Sequence, residues 1–142
     1  MSQKNKEKIQ SKYAEFQLLS QQISQLEEHL NTVAEQINEL NSLKNNLNEL
    51  KEVKRDTEIL VHLGHNIFTK SKIVDSNEFI IGIGASTLVK KNSKDAIEII
   101  SEQVKELNDL SKTMKTKVIE ANSTLQGLHD ELGMLMEKDS SE

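Results

Sequence analysis

Proline is absent from all 142 residues of the chain. Proline breaks helix interiors, so its absence leaves room for very long helices, and the apolar pattern fills that room. From Ile9 the apolar residues advance by alternating steps of three and four through Phe16, Leu19, Ile23, Leu26, Leu30, Val33, Ile37 and Leu40. Only Lys12 interrupts the a/d slots over this stretch. After Leu40 the apolar spacing passes to Leu43, Leu47 and Leu50, and the two successive steps of three at Ile37–Leu40–Leu43 predict a stammer in the supercoil. The pattern fades at Lys54-Arg55-Asp56.

A second run starts after Asn92-Ser93, which with Asp95 supplies a helix cap and an acidic first turn. Its slots are Ile97, Ile100, Val104, Leu107, Ser111, Met114, Val118, Ala121, Leu125, Leu128, Leu132 and Leu135, with Ser111 the single polar member. Repeats sustained over more than three heptads predict coiled coil rather than globular helix. The runs 9–54 and 93–137 match in length, each roughly 65 Å at the helical rise. Equal lengths predict that the second folds back along the first as an antiparallel hairpin, with both termini at one end. The alternative is two helices that pair separately with other chains.

Composition narrows the class. Apolar residues make up 35% of the chain, against about 45–50% in ordinary globular domains, so a large private core is excluded. With no Cys there is no disulfide, thiolate metal site or Cys nucleophile. Lys and Arg number 18 against 23 Asp and Glu, for a net charge of −5, and Arg55 is the sole Arg. Nucleic-acid binders carry a basic excess rich in Arg. No window approaches the roughly 20 apolar residues of a membrane span, and the polar start MSQKNKEKIQSKY lacks the apolar stretch of a secretory signal. The expectation is a soluble, cytoplasmic protein.

Between the runs, residues 56–92 change character. Ile59–Leu63 reads as a strand closed by Gly64-His65-Asn66. Ile67–Val74 alternates, with Ile67, Thr69, Ser71 and Ile73 on one face and Phe68, Lys70, Lys72 and Val74 on the other. Asp75-Ser76-Asn77 is a turn, and Phe79–Ile83, Gly84-Ala85-Ser86 and Thr87–Lys90 make a second strand–turn–strand. The division expected is therefore 1–55 helix, 56–92 two β-hairpins, and 93–142 helix and tail. The fold class is α+β, a long antiparallel two-helix coiled coil with a four-strand oligomerisation module. A module this small, without metal or disulfide, rarely folds alone. Its outer strands leave edges that pair with other chains, and the expected outcome is a shared β-barrel. The residues expected at that interface are Ile59, Val61, Leu63, Ile67, Phe68, Ile73, Phe79, Ile81, Ile83, Leu88 and Val89.

The insert resembles the alpha class of archaeal-type prefoldin subunits. The resemblance rests on Leu60-Val61, Leu63-Gly64, the alternating Lys70 and Lys72, Asp75, and Gly82-Ile83-Gly84, set between equal arms from about Ile9 to Leu135. The chain departs from the pattern at His62, where the family usually has Pro. The resemblance implies a hexamer of two alpha and four beta subunits, with six coiled-coil tentacles on a double β-barrel. It implies capture of unfolded chains without ATP and transfer to a group II chaperonin. Catalytic residues and cofactors are not implied, and neither is binding to membrane or nucleic acid.

In a hairpin of this kind the free tip gathers residues near 9–20 and 125–137. There Tyr13, Leu18, Met134 and Met136 lie outside the a/d slots. Fraying of terminal heptads, helped by Gly127 and Gly133, would expose the seam residues Ile9, Phe16, Leu128, Leu132 and Leu135. Flexible Met and open apolar surface suit promiscuous capture. The plainer alternative is that these residues merely finish the seam. Lys4, Lys6, Lys8 and Lys12 face Glu131, Glu137, Asp139 and Glu142 across the expected tip, either as a solvated charge pattern or as a chaperonin docking surface. His62 and His65 have HxxH spacing but lack a third ligand, so no metal site is expected. Gly82-Ile83-Gly84 marks a bend rather than a nucleotide loop. Two other classes stand beside the chaperone: an inert coiled-coil scaffold or tether, and a nucleic-acid-binding barrel using Lys70, Lys72, Lys90 and Lys91.

Overall fold

Helix α1 spans Gln3–Leu50 and helix α2 spans Ser93–Ser140, 48 residues each, in a computed structural model that describes residues 3–140. Between them lie β1 (Glu58–Gly64), β2 (Ile67–Lys72), β3 (Glu78–Gly84) and β4 (Thr87–Asn92). The fold is the expected one, two long antiparallel helices enclosing two β-hairpins. By compactness the chain divides into two units. One holds α1 up to Glu35 with α2 from Leu107, and the other holds Gln36–Glu106.

In the first unit the seam follows the heptad reading. Phe16, Leu19, Leu26 and Leu30 are half-buried and Ile23 and Val33 buried on α1, facing buried Met114, Leu128 and Leu132 with half-buried Val118, Ala121, Leu125 and Leu135. Contacts across the seam run in opposite chain directions, from Asn5–Asp139 through Lys12–Glu131 to Phe16–His129, which makes the pairing antiparallel.

In the second unit Leu47, Ala96 and Ile100 form a buried cluster, with Leu40, Ile97, Val104, Phe79 and Ile81 packed on it. The seam here corrects the expected stammer. Leu43 is 44% exposed, while Lys44 is half-buried in the slot between Leu40 and Leu47. The three–four alternation thus continues through Leu47, because a lysine stem can cover apolar surface while its ammonium reaches water. Leu43 instead lines a cavity of ≈ 400 Å³ with Phe79, Ile80 and Ile81. The start of α2 is fixed twice: Asn92 Oδ1 accepts from the Asp95 N–H, and Asn77 Oδ1 accepts from the Ser93 N–H. Both satisfy donors that have no partner inside the helix.

β1 pairs only with β2 and β3 only with β4, so two separate two-stranded sheets result. All four strands therefore carry an open edge within this chain, where the sequence pointed to the outer two. β2 ends at Lys72 rather than Val74. Ile73 still donates its N–H to Thr57 O and accepts from the Asp56 N–H, but Asp56 at φ 67° turns the chain away and regular pairing stops. Ile73 is thus a half-buried linker residue, not a strand member. β4 runs two residues past Lys90, to the helix cap.

The hairpins are copies of one another, offset by twenty residues. Glu58↔Lys72 becomes Glu78↔Asn92, and the register slips at His62/Gly64 in one and at Gly82/Gly84 in the other. Each slip leaves one unpaired residue, Leu63 or Ile83, in a β-bulge. Gly64 (φ 138°) and Gly84 (φ 104°) follow, in backbone that side chains rarely adopt. Then come two central turn residues at positive φ, His65-Asn66 and Ala85-Ser86, as tight hairpin turns require. Across each ladder one ion pair recurs, Lys70–Glu58 at 3.7 Å and Lys90–Glu78 at 3.6 Å. Only Glu58/Glu78, Gly64/Gly84 and Lys70/Lys90 are identical among the fifteen equivalent pairs, and these residues form the bulge and the ion pair.

Candidate functional site

Two surfaces carry the residues singled out from sequence. The first is the tip of the helix pair. Heptad geometry turns Ile9, Phe16, Leu128, Leu132 and Leu135 into the seam, with Leu128 and Leu132 buried. Both helices keep their helical form there, through Gly127 and Gly133, so these five are covered in this conformation. Tyr13, Leu18, Met134 and Met136 point outward, 54%, 58%, 71% and 60% exposed. Among the described residues, the two helices expose three other large apolar side chains, Leu43, Leu110 and Ile119. On the helices, exposed apolar side chains are therefore most frequent at the tip.

Polar contacts close the same end. Lys12, the residue that breaks the apolar seam, puts its Nζ 2.9 Å from Glu131 Oε2. The hydrogen bond from Lys12 to Glu131, reinforced by that carboxylate's charge, holds the ammonium above its ordinary 10.5. A pKa raised in this way keeps the ammonium charged through neutrality, and the lysine loses its half of the pair only as pH climbs through the raised value. Near neutrality the pair therefore responds to salt rather than to lysine deprotonation. Asn5 Nδ2 donates to Asp139 Oδ1 at 3.3 Å, while Asp139 Oδ2 is buried without a hydrogen-bond partner. The opposed charges expected at the tip thus meet at Lys12 and Glu131. Glu142 lies outside the described residues.

The second surface is the hairpin pair. Val61, Leu63, Ile67, Phe68, Ile83 and Leu88 are exposed, while Ile59, Phe79, Ile81 and Val89 are half-buried. Phe79 and Ile81 pack on the chain's own core cluster. Sequence reasoning missed Leu60 and Ile80, both exposed. Strand alternation was the available signal: each lies on the face shared by Phe68 or Leu88, by the register Leu60↔Lys70, His62↔Phe68 and Ile80↔Lys90, Gly82↔Leu88. His62 spends its ring against Phe68, with centroids 5.1 Å apart. No group of three or more metal-ligating side chains occurs among the described residues. Gly84 supplies the expected bend.

Paired helices of equal length that end in exposed apolar residues, joined by two hairpins with open edges, define a coiled-coil subunit. The sequence matches the prefoldin family, described as "Prefoldin subunit", over residues 19–138. The chain belongs to the prefoldin family, and its relatives mark it as an alpha-type subunit. It is 24% identical over 127 residues to prefoldin subunit alpha of Methanococcus aeolicus, covering 89% of this chain and 85% of that one. With prefoldin subunit alpha of Pyrococcus horikoshii it shares 30% over 114 residues, 79% and 76% of the two chains. With prefoldin subunit alpha 1 of Thermococcus kodakarensis it shares 32% over 99 residues, 70% and 68% of the two. A chain in the cryo-EM structure of filamentous PFD from Methanocaldococcus jannaschii superposes with a TM-score of 0.73 at 17% identity, covering 81% of this chain and 95% of that one. Membership makes the protein a chaperone subunit, in a family that is not a class of enzymes. Among the described residues no helix is long and apolar enough to cross a membrane.

Proposed function

We propose that this chain captures non-native polypeptides on the exposed apolar side chains at the tip of its helix pair. It does so without ATP, as one of two alpha subunits in a hexamer with four beta subunits, and hands its clients to a group II chaperonin in the cytoplasm. The hairpins assemble the hexamer by pairing edges with neighbouring subunits, through the set from Ile59 to Val89 together with Leu60 and Ile80. The observation that carries the reading is the outward position of Tyr13, Leu18, Met134 and Met136 on helices whose heptads turn almost every other large apolar residue inward. Capture of varied sequences needs apolar area that adapts its shape, and thioethers supply it.

The test replaces those four residues by Ser in the full chain co-assembled with a beta-type subunit, then dilutes a denatured client without ATP and follows light scattering. The variant is expected to lose most of its protection while its assembly size is unchanged. Undiminished protection would exclude the tip as the capture site. A wild-type assembly that leaves aggregation untouched would instead favour a tether with inert tips.

A further inference from the structure

Beside the closed seam at the tip runs a groove of ≈ 480 Å³, walled by Lys8, Ser11 and Lys12 of α1 and by Glu131, Met134 and Leu135 of α2. Its two lysines differ. Lys12 is engaged by Glu131 at 2.9 Å, whereas Lys8 makes no ion pair among the described residues. The contacts Asn5–Asp139 and Lys12–Glu131 bracket Lys8 and Leu135, which places an unpaired ammonium level with apolar surface from Met134 and Leu135. A ligand that supplies both an apolar side chain and a negative charge is complementary to this groove. In an extended segment, neighbouring residues rise by about 3.3 Å each. Because Lys8 and Leu135 lie at one level, a carboxylate within two residues of the apolar side chain stays in reach of Lys8.

We infer that the tip groove selects, among unfolded segments, those in which a large apolar residue is followed or preceded within two residues by Asp or Glu. The apolar side chain lies on Met134 and Leu135, and the carboxylate meets Lys8 while Lys12 stays with Glu131. This selectivity rests on the reading that the tip captures non-native chains.

Three labelled peptides test it, sharing one apolar core flanked by Glu, Gln or Lys, with binding to the full-length assembled protein read by fluorescence anisotropy. The Glu-flanked peptide is expected to bind about threefold tighter than the Gln-flanked one at low salt, the scale of one exposed ion pair, and the Lys-flanked peptide weakest. High salt or Lys8→Gln, a change at an exposed helical position, is expected to erase the difference. Met134→Ser is expected to weaken all three peptides alike. Equal affinity for the three, or a Glu preference that persists in Lys8→Gln, overturns the selectivity while leaving client capture standing. Binding of none of them overturns both.

Discussion

The hairpin β1–β2 and the hairpin β3–β4 have the same register, bulge, turn and ion pair, yet only one of them is anchored. Phe79 and Ile81 of the second rest on Leu47, Ala96 and Ile100, and its closing Asn77 side chain caps α2 through the Ser93 N–H. At the equivalent place in the first, Ile73 N–H meets the backbone carbonyl of Thr57, a hairpin bond and no more. What differs is therefore not how a hairpin is built but what each was recruited to hold. Phe79 and Ile81 tie the second hairpin to the chain's own core, while Leu60, Ile67 and Phe68 of the first stay exposed.

Side-chain truncation should break this comparison most visibly. Phe79→Ala is expected to cost about 2 kcal/mol in urea unfolding followed by circular dichroism, less than for a fully buried Phe because Phe79 is half-buried. Phe68→Ala should cost under about 0.5 kcal/mol in the same assay, and appear instead as a loss of assembly size on a sizing column. Equal costs would mean that both hairpins are anchored alike.

The glycines should behave identically in the two copies. Gly64→Ala and Gly84→Ala place a side chain at φ 138° and 104°, where space is open but the backbone conformation is disfavoured, so each is expected to lose about 1 kcal/mol. A tolerated substitution at one site alone would show that its turn rearranges. Ala85 and Ser86 occupy positive φ with little intrinsic liking for it, whereas Asn66 suits its place. Installing Asn-Gly at 85–86 should therefore raise stability by about 0.7 kcal/mol, and Asn66→Gly by about 0.3 kcal/mol at most. The smallest effect is expected at the ion pairs: Glu58→Gln and Glu78→Gln should each change stability by about 0.2 kcal/mol, with the difference vanishing in salt.

Much of the architecture is legible in the sequence because its signals are periodic. The α2 seam lies in the slots that the heptad count assigned, with even Ser111 half-buried in line. The strands and turns appear where β-branched runs and Gly-His-Asn or Gly-Ala-Ser punctuate them. Reasoning failed where one residue type serves two purposes. Leu43 looks like seam because it is Leu, and Lys44 looks like surface because it is charged; tertiary context reversed both. The hairpin copies escaped notice because twelve of fifteen pairs have diverged, with apolar residues exchanged freely and only the turn and ion-pair chemistry retained. At the tip, Tyr13, Leu18, Met134 and Met136 were legible as off-seam residues. The groove was not, since it depends on the pairing level of Lys8 with Leu135, which a sequence of two separate helices does not record.

The twenty-residue offset also bears on how such a chain can change its valency. Because the copies share register, bulge and turn, removing any twenty consecutive residues that begin between Ile59 and Lys72 fuses the start of one hairpin to the end of the other without shifting a single cross-strand pair. The product would be one whole hairpin between the two helices, with Thr57 in place of Asn77 opposite Ser93, and the reverse event would restore two. Losing or gaining twenty residues within this repeat thus changes the number of hairpins while each ladder stays in register.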